Sequence, residues 1–187
     1  MISLLIQERA PKHTLILGPT YSEYSRELSF SGSTQEYYHL QESNDFEPDI
    51  PDLCRKLEQG YDFLILCNPN NPTSSAITQE ELRRLIGFCA EKNIFVMIDE
   101  TYVEFAPDIN AITAVPLTRN SPISWYSAAY RNSSPLPEYA WATASPETWN
   151  FLQKCAKNRH HGHLTALVPL QERSCCGMKI ILKKPEI

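Results

Sequence analysis

No segment of this 187-residue chain approaches the roughly 20 consecutive apolar residues of a membrane-spanning helix, which speaks against a helical membrane protein. The opening run, Met1 to Ile6, ends at Gln7-Glu8-Arg9 and lacks the basic leader and small-residue cleavage site of a secretory signal. Positive charge is scarce: 17 lysines and arginines against 22 acids leave a net charge of −5, so no nucleic-acid partner is expected. The six cysteines, Cys54, Cys67, Cys89, Cys155, Cys175 and Cys176, contain no Cys-x-x-Cys pair and no regular framework. Reduced thiols in a cytoplasmic protein are therefore expected. No Gly-x-Gly-x-x-Gly follows any strand-like run, which disfavours a generic dinucleotide-binding module. Internal repeats and low-complexity tracts are absent as well.

What is present begins as α/β grammar, in which short β-rich runs alternate with helical stretches up to about Phe105. Thr14 to Leu17 reads as a strand closed by Gly18-Pro19, and Ser22 to Ser31 as a helix stopped by Gly32. Gln35 to Leu40 reads as a second strand, followed by a helix over Ile50 to Glu58. Phe63-Leu64-Ile65-Leu66-Cys67 and Ile94-Phe95-Val96-Met97-Ile98 are uninterrupted apolar runs, the pattern of strands buried on both faces of a parallel sheet. Between them Thr78 and Glu81 form a capping box, and Leu82, Leu85, Ile86 and Cys89 recur at helical spacing. Two parallel strands joined by one helix bring both carboxyl ends to a single edge, where open α/β sheets bind ligands. Beyond Phe105 the pattern weakens. Asn120 to Pro137 reads as a long loop, a helix starts at Ser145-Pro146-Glu147 and runs through Trp149 to Lys157, and the stretch from His160 follows no placeable period.

Two segments carry the chemistry: Asn68-Pro69-Asn70-Asn71-Pro72-Thr73 after the first apolar strand, and Asp99-Glu100-Thr101-Tyr102-Val103-Glu104-Phe105 after the second. Either alone is an ordinary turn or strand end. Together with Gly18-Pro19-Thr20-Tyr21-Ser22-Glu23-Tyr24 they resemble the cofactor site of the class I/II aminotransferases of fold type I. The likeness is greatest to histidinol-phosphate aminotransferase and threonine-phosphate decarboxylase. It runs from Ile2 to about Leu117 and resumes near Tyr139.

The resemblance implies a three-layer α/β sandwich with a mostly parallel sheet, part of the large domain of such enzymes, over residues 1–158, with an irregular segment at about 120–138. Residues 159–187 are expected to be a tail outside the family. Pyridoxal phosphate is the implied cofactor, with Asp99 on its ring nitrogen, Asn71 and Tyr102 on its phenolic oxygen and Tyr21 stacked on its ring. The peptide bond from Asn71 to Pro72 is implied to be cis. Tyr21 has an alternative reading as a packing tyrosine. Glu100 and Glu104 read as solvated or helix-capping acids. Ser74 stands where the family has a glycine, which would permit φ > 0. The implied substrate is an amino acid or amino alcohol phosphate, the implied reaction transamination or decarboxylation, and an intact member would be a homodimer.

The family's Schiff-base lysine is missing, so no residue is assigned as catalytic. Ser127 is followed by Ala128, and no lysine lies between Lys92 and Lys154. The glycine-rich turn that would hold the cofactor phosphate is expected ahead of the helix that Ile2 to Glu8 resembles. Permitted codons for Arg131 to Tyr139, read from the third base of each, can spell Lys-Phe-Phe-Ala-Leu-Ala-Gly-Ile-Arg, the family's lysine segment. The same shift from His160 onward yields a plausible helix. A reading-frame change is thus one expectation, and a non-catalytic fragment or pseudoenzyme retaining part of the cofactor site is the other. His160-His161-Gly162-His163 has no cysteine or acid spaced to complete a metal site, so no metal is expected.

Overall fold

The computed structural model describes residues 2–120 and the strand backbones at 124–130, 139–144, 165–166 and 179–182. In chain order the elements are α1 (Ile2–Arg9), β1 (His13–Gly18), α2 (Glu23–Ser31), β2 (Thr34–His39), α3 (Ile50–Leu57), β3 (Phe63–Cys67), α4 (Gln79–Glu91), β4 (Phe95–Asp99) and α5 (Ile109–Ile112). Strands β5 (Ser124–Tyr130), β6 (Tyr139–Ala144), β7 (Thr165–Ala166) and β8 (Lys179–Leu182) follow. They form one sheet in the order β2-β1-β3-β4-β5-β6-β8-β7. Strands β1 to β5 pair in parallel, and β6 runs antiparallel to β5.

The strands are where the apolar runs put them, because β3 and β4 are buried at every position. Period-two alternation divides their side chains between two helical layers. Leu15, Leu17, Leu64, Leu66, Val96 and Ile98 form one core with Leu53 and Leu57 of α3 and Leu82, Leu85, Ile86 and Cys89 of α4. The alternate positions, including Ile16, Ile65 and Met97, are equally buried and lie on the opposite face, where Leu5 and Ile6 of α1 and Tyr24 and Leu28 of α2 are buried. The result is a three-layer α/β sandwich. Strand β2, Thr-Gln-Glu-Tyr-Tyr-His, is the mostly exposed edge, and its polar side chains suit it to solvent.

Local chemistry sets the helix starts. Asp49 accepts the Asp52 amide at the start of α3, with Pro51 in the first turn. At α4 the capping box is complete: Thr78 accepts from the Glu81 amide, and Glu81 accepts from the Thr78 amide. One departure concerns 120–137. Within that expected loop, Ser124–Tyr130 forms β5, in register with β4 so that Ser127 stands beside Asp99. The second concerns the tail, which contributes the short strands β7 and β8. The expected helix through Trp149 to Lys157 lies outside the described residues, as do 131–138 and the histidine run at 160–163.

Candidate functional site

Strands β3 and β4 end level with each other, with Cys67 opposite Asp99. Alternation turns these two residues toward the face covered by α2, whereas Asn68 and Glu100, one position on, serve the opposite face. The bonding follows that division. Asp99 is 6% exposed. Its Oδ2 accepts from the Tyr24 hydroxyl at 2.8 Å, and its Oδ1 accepts from the backbone amide of Thr101 at 2.9 Å and from the Thr101 hydroxyl. No cationic side chain among the described residues is bonded to it, although an ionised carboxylate so far from water is costly without a positive partner.

Asn68 and Glu100 are structural. Asn68 is fully buried; its Oδ1 accepts the Ile77 amide at 2.7 Å, and its Nδ2 donates to the carbonyls of Ile77 and Ile112 at 3.1 and 2.8 Å. Glu100 is also fully buried, accepting from the Thr113 hydroxyl at 2.8 Å and from the Ala114 amide. The expectation of a solvated Glu100 is therefore corrected: its partners lie 13 and 14 residues further along, beyond the reach of local pattern. Glu104 is exposed, as expected of a solvated acid.

The loop after β3 folds back on itself. The Asn70 amide donates to the Ser75 carbonyl and the Ser74 amide to the Asn70 carbonyl, both at 2.8 Å, while Asn70 Nδ2 donates to the Pro19 carbonyl at 2.8 Å. This last bond ties the loop to the turn that carries Tyr21. The peptide bonds before Pro19, Pro69 and Pro72 are cis. Ser74 adopts φ 62, the left-handed region that glycine occupies without strain. Asn71 is half-buried, and its backbone amide faces the Cys67 sulfur.

Tyr21 is 45% exposed and meets Tyr24 edge-on, with ring centroids 5.7 Å apart. It is thus a surface ring and not part of the core. Tyr102 is half-buried at the start of the short helical turn Val103–Phe105. Tyr21, Asn71 and Tyr102 come from the segments that follow β1, β3 and β4, and Asp99 is the last residue of β4, all at the carboxyl edge of the sheet. Burial and the Asp99 charge drive the Tyr24 phenol far above its ordinary range. Burial, reinforced by Asp99, pushes the Cys67 thiol up to about 12. Both groups therefore stay protonated beside the carboxylate. Sequence reasoning missed Tyr24 and Thr101 as its donors. The available signals were the tyrosine three positions after Tyr21, in the first turn of a helix, and a hydroxyl residue two positions after the aspartate.

Among the described side chains, the lysines are elsewhere. Lys12 precedes β1 and its backbone amide donates to Asp62, Lys56 donates to Glu36, and Lys92 donates to Glu58. Lys12 and Lys92 lie just ahead of strands whose far ends carry the site, a separation of roughly 17 Å along a five-residue strand. Among the described residues no group of histidine, cysteine and acidic side chains could hold a metal ion. None of their helices is long and apolar enough to cross a membrane.

A mostly parallel sheet with helices on both faces and a buried carboxylate at its carboxyl edge is the architecture of the open α/β class, whose ligands bind at that edge. The sequence profile of the class I and II aminotransferases matches residues 2–129. A protein of Caldanaerobacter subterraneus, whose name provisionally assigns it to threonine-phosphate decarboxylase, is 35% identical over 119 residues, covering 64% of this chain and 32% of that protein. The histidinol-phosphate aminotransferase of Clostridium acetobutylicum superposes with a TM-score of 0.61 at 27% identity, over 68% of this chain and 36% of that one. A C-S lyase of Staphylococcus hominis, solved with bound PLP and the inhibitor L-cycloserine, shares the fold with a TM-score of 0.69 at 20% identity, over 86% of this chain and 43% of that one. The chain belongs to the class I and II aminotransferase family, whose cofactor is pyridoxal phosphate. It spans about a quarter to a third of the length of the curated relatives it matches.

Proposed function

We propose that this chain supplies the ring-binding part of a pyridoxal-phosphate site, in a family protein acting on an amino acid or amino alcohol phosphate by transamination or decarboxylation. The observation that carries the proposal is Asp99, a 6%-exposed carboxylate at the ligand-binding edge, held by Tyr24 and Thr101 and lacking a cationic partner among the described residues. A protonated pyridine nitrogen is the partner such a carboxylate fits, so the residues present suit the cofactor's ring. When bound, pyridoxal phosphate supplies the electron sink of the reaction. Asp99 holds the proton at the ring nitrogen. Tyr21, exposed beside Tyr24, offers a stacking face. The Asn71 side-chain amide and the Tyr102 hydroxyl are the donors assigned to the phenolic oxygen. An intact version would complete its site across a homodimer.

A second reading is favoured by the placement of Lys12, Lys56 and Lys92 away from Asp99. On that reading the chain binds the cofactor ring without the covalent step and turns over no substrate. One experiment separates the two. Pyridoxal phosphate is titrated into the chain, followed by absorbance and protein fluorescence, and the product is treated with borohydride and mapped by mass. Saturable binding lost in Asp99→Asn supports the ring site, and a pyridoxyl group fixed on a lysine supports an active enzyme. Saturable binding with no fixed lysine supports the non-catalytic reading. Binding unchanged in Asp99→Asn overturns the site.

A further inference from the structure

Tyr24 sits in the first turn of α2 and is 1% exposed. Its phenol reaches across the sheet face to β4 and donates to Asp99 Oδ2 at 2.8 Å, between residues 75 apart in sequence. The same hydroxyl lies against the Cys67 thiol, which is level with Asp99 on the neighbouring strand. On its outer side the Tyr24 ring meets Tyr21 edge-on. One side chain therefore touches both the exposed ring and the buried carboxylate.

A tyrosine needed only for packing would not require its oxygen here. Phenylalanine fills nearly the same volume, and a hydroxyl removed from water is costly unless it is hydrogen-bonded. The Thr101 donors both go to Asp99 Oδ1, leaving Tyr24 as the donor to Oδ2 among the described residues. Burial first, and the Asp99 charge second, raise the phenol's pKa, so the group keeps its proton and acts as a donor throughout the physiological range. A donor to a carboxylate favours its charged form.

We propose that Tyr24 is a positioning residue: by donating to Asp99 Oδ2 it aims that carboxylate at the ligand's ring and keeps the shared proton on the ring nitrogen. The inference rests on Asp99 being the ring-nitrogen partner. It assigns Tyr24 no contact with the cofactor's reacting atoms.

The test compares the full chain's affinity for pyridoxal phosphate with that for 1-deazapyridoxal phosphate, in which a carbon replaces the ring nitrogen. Only the interaction with the nitrogen separates the two ligands, so their affinity ratio is insensitive to general loosening of the fold. The wild-type chain is expected to prefer pyridoxal phosphate about a hundredfold, as a charge-assisted hydrogen bond in a buried site allows. Asp99→Asn should abolish the preference, and Tyr24→Phe should cut it to about tenfold, the loss expected for one donor to a charged group. Tyr24→4-aminophenylalanine keeps an N–H donor at the place of the phenolic oxygen and should hold the preference near the wild-type value. A Tyr24→Phe protein that binds both ligands more weakly with the ratio intact overturns the proposal, because the hydroxyl would then serve packing alone. If thermal melts show that Tyr24→Phe does not fold, Tyr24→4-aminophenylalanine decides: a ratio near wild type supports the role, and a ratio near one overturns it. A wild-type chain with no preference overturns the cofactor reading itself. A preference abolished in Asp99→Asn but untouched in Tyr24→Phe overturns only the role of Tyr24.

Discussion

Ser74 carries a backbone angle that its side chain resists. At φ 62 it stands where the family has glycine, and a non-glycine residue in that region costs about 1 kcal/mol or more. Ser74→Gly should therefore stabilise the chain by about 0.5–1 kcal/mol once glycine's greater unfolded-state freedom is subtracted. Urea denaturation measures this, and a destabilised variant would show that the serine side chain compensates for the strain. Glu36 gives a pH-dependent case. Its carboxyl is lowered to about 2, chiefly by the Tyr61 hydroxyl at 2.7 Å, then by Lys56 at 3.0 Å and His13 at 3.1 Å. A depressed folded-state pKa means that the contribution is fully present above the unfolded value of 4.5 and is lost as pH falls toward about 2. Between those limits the melting temperature of the wild-type chain should fall more steeply than that of Glu36→Gln. Parallel slopes would remove Glu36 from the acid response.

The elements that position the site meet through buried polar side chains. Asn68 joins the end of β3 to the approach to α4 and to the end of α5, through three bonds to the backbone of Ile77 and Ile112. Removing it leaves three buried backbone groups without partners, so Asn68→Ala should cost about 3 kcal/mol in chemical denaturation. A loss below about 1 kcal/mol would mean that water replaces the side chain readily. How legible each element was depends on where its stabilising partners lie. The α4 start was readable because Thr78 and Glu81 are three residues apart, and β3 and β4 because burial on both faces leaves unbroken apolar runs. Strand β5, Ser-Trp-Tyr-Ser-Ala-Ala-Tyr, was not readable. Its serines and alanines follow neither the continuous nor the alternating pattern, and its place is set by pairing with β4 and β6. In the site, the segments bearing Tyr21, Asn71, Asp99 and Tyr102 were visible as motifs. The burial of Glu100 and the bond from Tyr24 to Asp99 were not, since both depend on contacts between distant parts of the chain.

For the molecule as a whole, the chemistry turns on the Schiff-base lysine. The matched profile ends at residue 129, and the segment that codon shifting turns into the family's lysine motif begins at Arg131. The reading-frame proposal requires the third base of the Arg131 codon and the first two bases of the Asn132 codon to spell a lysine triplet. Sequencing the encoding DNA checks this directly, and any other triplet there ends the proposal. If the triplet is present, a chain expressed in the shifted frame from Arg131 should carry a borohydride-fixed pyridoxyl group on the new lysine.

The arrangement of β1, β3 and β4 bears on how such proteins can be taken apart. Among the described residues, the donors to the Asp99 carboxylate, Tyr24 and Thr101, all come from the first 101 residues, and no described lysine is among them. Recognition of an aromatic ring and covalent capture of its aldehyde are thus separable modules along the polypeptide. A segment carrying the amine, supplied as a second polypeptide, would find the acidic half of the site already assembled. That makes this chain a starting point for split-enzyme complementation.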